Sequence, residues 1–273
     1  MKILVVGASG YIGAELYRNL RGDYDTIGTF HTSQPTDNLF PLDTTNVSET
    51  RDFIAAHNPD VIVHAANASS VRWCEEHPEL AAKVNIEGTE AVVAGAQDSD
   101  AQLIYLSSTV ASNQQHVYGR TKSAAEAIVR QATCDWLVLR PSLTVGISPN
   151  VLSRHYFNRI LQNIRTSTDG VYDDSWKLQL TSLAHIAEVV RYTIDQRICN
   201  AVIPIATEEV TTRYAFASEI LRHFGLKTTA DTSLPSITEP YADVSVLHDL
   251  GLPAYSLAEI VRAITSDIEQ HTH

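Results

Sequence analysis

The hydrophobic pattern opens with a continuous apolar run that gives way to helical periodicity. Lys2–Val6 is short and rich in β-branched residues, which is typical of a strand buried on both faces. Ile12, Leu16 and Leu20 then recur at the spacing of one helix face. The pattern predicts a strand that runs straight into a helix.

The same alternation continues through the first half of the chain. Strand patterns lie within 25–30, 59–67, 102–109 and 135–141, and helical patterns lie within 46–57, 77–96 and 118–132. This order is typical of an α/β protein with a doubly wound parallel sheet, whose ligands bind at the carboxyl ends of the strands. We therefore expect the strand exits at residues 7, 65–67, 107–109 and 140–141 to share one rim.

The second half is less regular and predicts a smaller lobe. Helical patterns lie at 152–165, 183–195, 213–224 and 256–265, and a strand pattern lies at 201–205. The length of 273 residues fits one large α/β unit with an appended lobe. We expect a Rossmann-type domain over 1–145, completed by about 178–206, and a C-terminal substrate-binding lobe formed by 146–177 and 207–273.

Three glycines stand at the corner between the first strand and the first helix. Gly7, Gly10 and Gly13 would let a pyrophosphate approach the backbone, and the helix N-terminus would add free N–H groups. Their spacing is G-x-x-G-x-x-G rather than the usual G-x-G-x-x-G, and a tight turn without a ligand is the alternative. We predict a dinucleotide site here that also includes the intervening Ser9, Tyr11 and Ile12.

The end of the second strand bears on the choice of dinucleotide. In NAD-specific folds an acidic residue near this point binds the adenosine ribose, and none is present here. Phe30, His31, Thr32 and Ser33 could instead accommodate a 2′-phosphate. The sequence favours NADP(H), with NAD(H) left possible.

The net charge limits the classes of partner that the protein can bind, and the cysteine content indicates its compartment. A net charge of −12 argues against nucleic acid or an anionic membrane as a partner, since both need basic surface. The three cysteines are far apart, which fits a reducing compartment and neither a disulfide framework nor a zinc site. With no signal pattern and no apolar run of about 18 residues, we expect a cytoplasmic protein.

A tyrosine and a lysine one helical turn apart follow a strand that ends in hydroxyls. Tyr118 and Lys122 can converge on one point, where a neighbouring ammonium would favour the phenolate. A hydroxyl of Ser107, Ser108 or Thr109 could bind the substrate oxygen that exchanges the proton. The pair alone is common on ordinary helices, and the order of glycine corner, hydroxyls, tyrosine and lysine is what predicts a site for proton transfer.

The combined motifs resemble the extended short-chain dehydrogenase/reductases, and most closely their dTDP-4-dehydrorhamnose reductase-like branch. The resemblance covers most of the first 210 residues or so. It lies in the stretches 7–13, 61–66, 71–78, 84–89, 118–122 and 139–141.

This resemblance implies roles for individual residues. Tyr118 would be the acid/base, Lys122 would hold the nicotinamide ribose and tune Tyr118, and Ser108 would bind the substrate carbonyl. The three glycines would line the pyrophosphate. Further implied contacts are adenine with Asp43, the cofactor with Ala65 and Ala66, and support of the site by Asn85. A homodimer through 79–96 and 119–132 is also implied.

Several features depart from the family pattern. Only ten positions separate Ser108 from Tyr118, position 72 is Arg rather than Asp, and 239–243 replaces a late arginine-containing segment. Thr109 is followed by Val110-Ala111, so the Asp-Glu pair of the family's dehydratases is missing. These departures leave the identity of the sugar open and favour simple carbonyl reduction.

The sequence thus predicts an NADP(H)-preferring reductase of the 4-keto group of a nucleotide-activated deoxysugar. The alternatives are an NDP-sugar epimerase with tightly held NAD and a non-catalytic NADP-binding regulatory subunit. A substrate diphosphate would need cations, and the candidates are Arg154, Arg159, Lys177 and Arg213. Because no set of His, Asp or Glu has metal-ligand spacing, we expect no metal.

Overall fold

The first apolar run forms an interior strand of a seven-stranded parallel sheet in the computed structural model. The structure describes residues 1–32, 38–150, 155–233, 237–238 and 241–271. The strands are β1 (Lys2–Val6), β2 (Asp25–Phe30), β3 (Phe40–Pro41), β4 (Val61–His64), β5 (Gln102–Leu106), β6 (Trp136–Pro141), β7 (Leu143–Val145), β8 (Gly170–Asp173), β9 (Trp176–Leu178), β10 (Leu180–Ser182), β11 (Ala201–Ile205), β12 (Thr211–Thr212), β13 (Thr228–Asp231) and β14 (Ile237–Thr238).

Helices cover both faces of this sheet, and helices together with three small sheets, β10-β7, β12-β9-β14 and β13-β8, build the rest of the described molecule. The helices are α1 (Tyr11–Leu20), α2 (Val47–His57), α3 (Val71–Glu76), α4 (Pro78–Ala82), α5 (Gly88–Asp98), α6 (Val117–Val129), α7 (Tyr156–Thr166), α8 (Leu183–Asp195), α9 (Arg213–His223), α10 (Ser245–Asp249) and α11 (Leu257–His271). A π-helical turn, Lys83–Glu87, joins α4 to α5, and a 3-10 turn, Thr109–Ser112, precedes α6.

The large sheet has the order β11-β6-β5-β4-β1-β2-β3, and each pair of neighbours is parallel. The chain fills the sheet outward in one direction from β1 to β3 and in the other from β4 to β11, so the order reverses between β1 and β4. The predicted doubly wound, Rossmann-type sheet is confirmed. Because the strands are parallel, the exits of β1, β4, β5 and β6 lie at the same edge, as expected.

Alternation along the strands divides the sheet core into two layers. Ile3 and Val5 belong to the layer that includes residues of α1 and α8, whereas Leu4 and Val6 belong to the layer under α2, α5 and α6. A third cluster, built largely by α7, α9 and α11, is separate from both. The limits expected for the substrate-binding lobe stay a prediction.

The predicted elements of the first half are confirmed within a few residues at each end. The helix expected over 77–96 contains the π turn, which the apolar pattern did not predict. Helix α3 was not predicted either; its N-cap is Ser70, whose hydroxyl accepts from the Trp73 amide at 3.2 Å. In the second half the strands other than β11 were missed, because runs of two to four residues are too short to show a period.

Two sequence-based helices differ at their ends. The helix expected from 152 begins at Tyr156 in α7, and residues 151–154 lie outside the described part. The helix expected to end near 265 continues to His271. Across the described ranges no helix is both long and apolar enough to span a membrane.

Candidate active site

The glycine corner is packed so tightly that two of its glycines are required. Gly7 has a φ of +85°, and a Cβ there would lie 2.6 Å from the backbone nitrogen of Ala66 at the exit of β4. A Cβ on Gly13 would lie 2.1 Å from the carbonyl oxygen of Gly7. Gly10 donates its N–H to the same carbonyl at 3.0 Å and caps α1 without a side-chain bond. The result is a bare backbone cradle at a helix N-terminus, which suits a pyrophosphate.

A segment that the sequence did not single out covers the other side of this corner. The Ser148 hydroxyl donates to the Tyr11 carbonyl at 2.8 Å, and the Asn150 amide donates to the Ser9 carbonyl at 2.7 Å. The Tyr11 phenol donates to the Gly146 carbonyl at 2.6 Å. These contacts span more than 130 positions of sequence, so no local pattern could have predicted them.

The ring of Tyr11 also contacts the first helix after this segment. His155, the N-cap of α7, stacks on it with ring centroids 4.0 Å apart and an angle of 14°. Burial, followed by the charge of Arg213, lowers the pKa of His155 to about 4. The imidazole is therefore neutral at physiological pH and acts as an aromatic surface.

His31 and Asp43, both predicted to contact the cofactor, lie together at the ends of β2 and β3. His31 Nε2 is 3.6 Å from Asp43 Oδ2, and both side chains are partly exposed. Partial burial acts to raise the pKa of Asp43, but hydrogen bonds from the amide and hydroxyl of Thr45, with His31 and Lys83 nearby, hold it below its usual value. Asp43 is thus an anion beside the imidazole. Ser33, which the sequence also offers to a 2′-phosphate, lies outside the described residues.

Ser108 and Tyr118 meet at the exit of β5. Ser108 has an extended backbone at the start of the 3-10 turn, and its side chain lies close enough to the Tyr118 phenol to act on the pKa of that phenol. Burial, and secondarily the Cys74 thiol, raises the pKa of Tyr118 above its ordinary value, against the lowering effect of Ser108. The phenol is therefore protonated at neutral pH.

Lys122 lies on the same face of α6 as Tyr118 but directs its ammonium elsewhere. Its side chain is fully buried, and Nζ donates to the Leu106 carbonyl at 2.6 Å and lies 4.2 Å from the centre of the Tyr105 ring. Burial lowers the pKa of Lys122 to about 7, although Glu126 acts to raise it. Within the described contacts the ammonium is bound beneath the strand exit rather than to the phenol.

Unlike Ser108, Ser107 directs its hydroxyl into the interior of the protein. It is buried and donates to Glu126, which also receives a bidentate pair of bonds from Arg140 at 2.8 and 2.5 Å. Glu126 and the ion pair were not among the predicted site residues. The spacing of Glu126 four residues after Lys122 was the signal that could have found it.

Asn85 occupies the π turn, fully buried, and holds the chain that leaves β4. Its amide accepts from the Ala68 N–H at 2.7 Å, donates to the Ala68 carbonyl at 3.2 Å and donates to the Thr121 hydroxyl at 3.0 Å. Thr121 in turn donates to the Tyr118 carbonyl at 2.9 Å. Asn85 therefore couples the β4 exit to the helix that carries Tyr118, by structural contacts.

The candidate cations of the second lobe lie in different surroundings. Arg213 lies over the rings of Trp176 and Tyr156, at 4.7 and 5.6 Å from their centres. Arg159 is exposed and lies over the ring of Tyr172, and Lys177 lines a surface cavity of about 420 Å³. Arg154 lies outside the described residues.

The rim therefore carries two features that can take part in chemistry. One is the backbone cradle for a pyrophosphate after β1, and the other is a protonated phenol with a hydroxyl beside it at the exit of β5, two strands away. The strand order places β4, with Ala65 and Ala66 at its exit, between these two features. A dinucleotide lying along the rim would therefore reach from the glycine corner toward Tyr118. This arrangement fits a nicotinamide dinucleotide and a carbonyl or alcohol substrate.

Comparisons with known proteins agree with this architecture. The chain is 26% identical over 163 residues, 54% of each chain, to a probable low-salt glycan biosynthesis reductase of Haloferax volcanii. It is 29% identical over 156 residues, 52% of this chain and 51% of the relative, to the dTDP-4-dehydrorhamnose reductase of Salmonella typhimurium. The chain thus spans about half the length of these curated relatives.

The likeness in fold extends further. The crystal structure of dTDP-4-dehydrorhamnose reductase from Bacillus anthracis in complex with NADP matches over 97% of this chain and 99% of that chain, with a TM-score of 0.83 and 17% identity. The family described as RmlD substrate binding domain matches residues 1–256. With that match covering nearly the whole chain, the protein belongs to the RmlD substrate binding domain family.

Proposed function

We propose that this protein is an NADP(H)-preferring reductase of the 4-keto group of a nucleotide-activated deoxysugar. The observation that carries the proposal is the contact between Ser108 and a protonated Tyr118, on the rim that also carries the glycine cradle. The relatives named as dTDP-4-dehydrorhamnose reductase and glycan biosynthesis reductase support the substrate class. The neighbour in complex with NADP supports the cofactor.

Different residues of the chain would bind different parts of the cofactor. Gly7, Gly10 and Gly13 would bind the pyrophosphate through their backbone, with the intervening Ser9, Tyr11 and Ile12 completing the loop. Asp43 would contact the adenine, Ala65 and Ala66 would flank the cofactor, and His31 would meet a 2′-phosphate. Bound NADPH would supply the hydride that carbonyl reduction needs.

The catalytic step of the chain itself is a proton transfer. Ser108 would hold the carbonyl oxygen of the substrate, and Tyr118 would give its phenolic proton to that oxygen as negative charge develops there. A phenol whose pKa is raised by burial remains protonated at neutral pH, which is the state that a proton donor requires. Lys122 would turn from the Leu106 carbonyl toward the nicotinamide ribose and stabilise the resulting phenolate.

The test measures absorbance at the reduced-nicotinamide band, with NADPH and NADH in parallel, against a panel of enzymatically generated NDP-4-keto-6-deoxysugars. Consumption of NADPH in preference to NADH, with one sugar, supports the proposal. Conversion of a sugar without net consumption and with NAD found in the purified protein would favour an epimerase. NADPH binding without turnover on any sugar would favour a regulatory subunit.

Tyr118→Phe gives the sharper version of this test. It should lower kcat by orders of magnitude and leave NADPH affinity nearly unchanged, because it removes only the hydroxyl that donates the proton and keeps the ring. The matched control is Tyr172→Phe in the third core cluster, which loses the hydrogen bond from its hydroxyl to Asn163 and should keep its turnover. Retained turnover in Tyr118→Phe would remove Tyr118 from the mechanism.

The expected homodimer stays a prediction. Leu80, half exposed on α4 within the range 79–96, is an apolar side chain that a partner could cover. Light scattering coupled to size exclusion would measure the mass, and Leu80→Asp should shift a dimer toward monomer if this face is used.

A further inference from the structure

Glu126 is a buried carboxylate at the back of the candidate site to which the proposed reaction assigns no role. Its side chain is 3% exposed, and its partners come from two neighbouring strands. Ser107 at the exit of β5 donates to one oxygen, and Arg140 near the end of β6 donates to both. Glu126 therefore ties α6 to the two strands that border the site.

The contacts of Glu126 lie next to two residues of the proposed site, Ser108 and Lys122. Ser107 is the neighbour of Ser108 in the chain, so its anchored hydroxyl restricts where Ser108 can direct its own side chain. Lys122 lies one helical turn before Glu126 on the same face of α6, and the carboxylate favours the charged form of that ammonium. One carboxylate thus bears on the position of the hydroxyl and on the charge of the lysine.

We propose that Glu126 is a positioning residue, whose carboxylate is the buried counter-charge of the Lys122 ammonium and the anchor of the strand exit that carries Ser108. The inference rests on the role proposed above for Lys122. Arg140 donates to both oxygens of the carboxylate, so Glu126 has an ion-pair partner in the interior.

Besides Glu126, three groups within the described residues lie close to the ammonium. From β5 it faces the Tyr105 ring and the Leu106 carbonyl, and from β4 the imidazole of His64 lies close enough to feel its charge. Burial lowers the pKa of His64 to about 3, so the imidazole is neutral throughout the working range. None of these three groups carries a negative charge at neutral pH, and Glu126 is the described charge that favours protonation of Lys122.

The chain is well suited to a direct measurement, because it contains five lysines. Protein labelled with ¹³C at the lysine ε-carbon would give five signals, and Lys122→Met identifies the one that belongs to position 122. We expect that signal to titrate near neutral pH in the parent protein and at lower pH in Glu126→Gln. Removal of a nearby opposite charge shifts a pKa by about 1 to 3 units, so a displacement of at least one pH unit is expected.

Activity supplies a second readout. The alkaline limb of the pH profile of kcat/KM should move to lower pH in Glu126→Gln, so the loss of activity should be larger at pH 8 than at pH 6. A carboxylate that only stabilised the fold would lower activity by the same factor at both pH values. The control is Asp98→Asn, which removes an exposed ion pair with Arg51 and should change neither readout.

Glu126→Gln leaves Arg140 without its partner, so the double variant Glu126→Gln/Arg140→Gln serves if the single variant does not fold. It removes both charges and should still move the Lys122 titration to lower pH, but by less than Glu126→Gln does, because the loss of Arg140 also removes a positive charge. An unchanged titration in the variant that folds overturns the proposal. The lysine signals need no turnover, so a parent protein that reduces no sugar yet shows the displacement would refute the reductase and keep the role of Glu126.

Discussion

Gly13 packs directly against the backbone of Gly7, so closely that a single added methyl group at position 13 would overlap the Gly7 carbonyl oxygen. Gly7 cannot retreat from this contact, because its own α-carbon faces the backbone of Ala66 at the exit of β4. The start of α1, the loop before it and the neighbouring strand therefore form one close-packed unit. The unit is the proposed cradle of the pyrophosphate.

Gly13→Ala should accordingly disturb both stability and cofactor binding. Overpacking against backbone costs about 1 to 3 kcal/mol, and the loop must move away from its present position to relieve the overlap. We expect a lower midpoint in urea and a large loss of NADPH affinity by fluorescence titration. Gly22→Ala is the control, since a Cβ there meets its nearest atom at 3.7 Å. Equal NADPH affinity in Gly13→Ala and the parent would place the cofactor elsewhere.

Removing each of the three hydroxyls after β5 should affect a different property, either turnover or stability. Ser108→Ala should lower kcat about 100-fold, the usual effect of removing one donor to a developing oxyanion. Ser107→Ala should instead cost about 1 to 3 kcal/mol of stability, because it leaves the buried Glu126 short of one donor. Steady-state kinetics and urea unfolding distinguish the two. If Thr109→Val rather than Ser108→Ala abolishes turnover, Thr109 is the hydroxyl that binds the substrate.

Cofactor preference should depend on His31. Its imidazole lies beside Asp43 at the rim, where a 2′-phosphate would distinguish NADPH from NADH. His31→Ala should raise the KM for NADPH about tenfold, equivalent to ~1.4 kcal/mol, and leave the KM for NADH nearly unchanged. The control is His223→Ala, which removes an exposed histidine paired with Glu269. An equal rise for both cofactors would mean that His31 does not read the phosphate.

Acid should destabilise the fold through His64. Burial lowers the pKa of His64 from 6.5 in the unfolded chain to about 3 in the folded chain. Between these two pH values the unfolded chain binds a proton that the folded chain does not bind. The stability due to neutral His64 is complete above pH 6.5 and is lost as the pH falls toward 3. Between pH 7 and pH 5 this amounts to about 2 kcal/mol.

Urea unfolding of the parent and of His64→Gln at both pH values measures this contribution. The variant should lose less stability on acidification than the parent, because glutamine does not titrate. His248→Gln, at an exposed position beside Glu208, should behave like the parent. Parallel losses in the parent and His64→Gln would show that other groups govern the acid limb.

The long apolar strands could be predicted from the sequence, whereas the shortest elements could not. The runs that form β1, β4 and β5 are apolar on both faces, and only a parallel sheet covered by helices buries both, so the pattern led directly to the doubly wound architecture. The π turn at Asn85 and the strands of two to four residues beyond β6 left no periodic trace. Those elements depend on partners distant in the chain.

The order of the elements, the glycine corner and the residues gathered at the rim could be predicted from the sequence, because strand and helix periods and turn chemistry are local properties of the chain. Three features follow from the packing of distant segments: which hydroxyl faces Tyr118, where the ammonium of Lys122 binds, and the pairing of Glu126 with Arg140 behind them. Neighbouring serines such as Ser107 and Ser108 are chemically identical. Alternate residues of a strand end point to opposite sides, and only the packing of α6 and β6 makes one side an interior with a carboxylate and the other a cleft with a phenol.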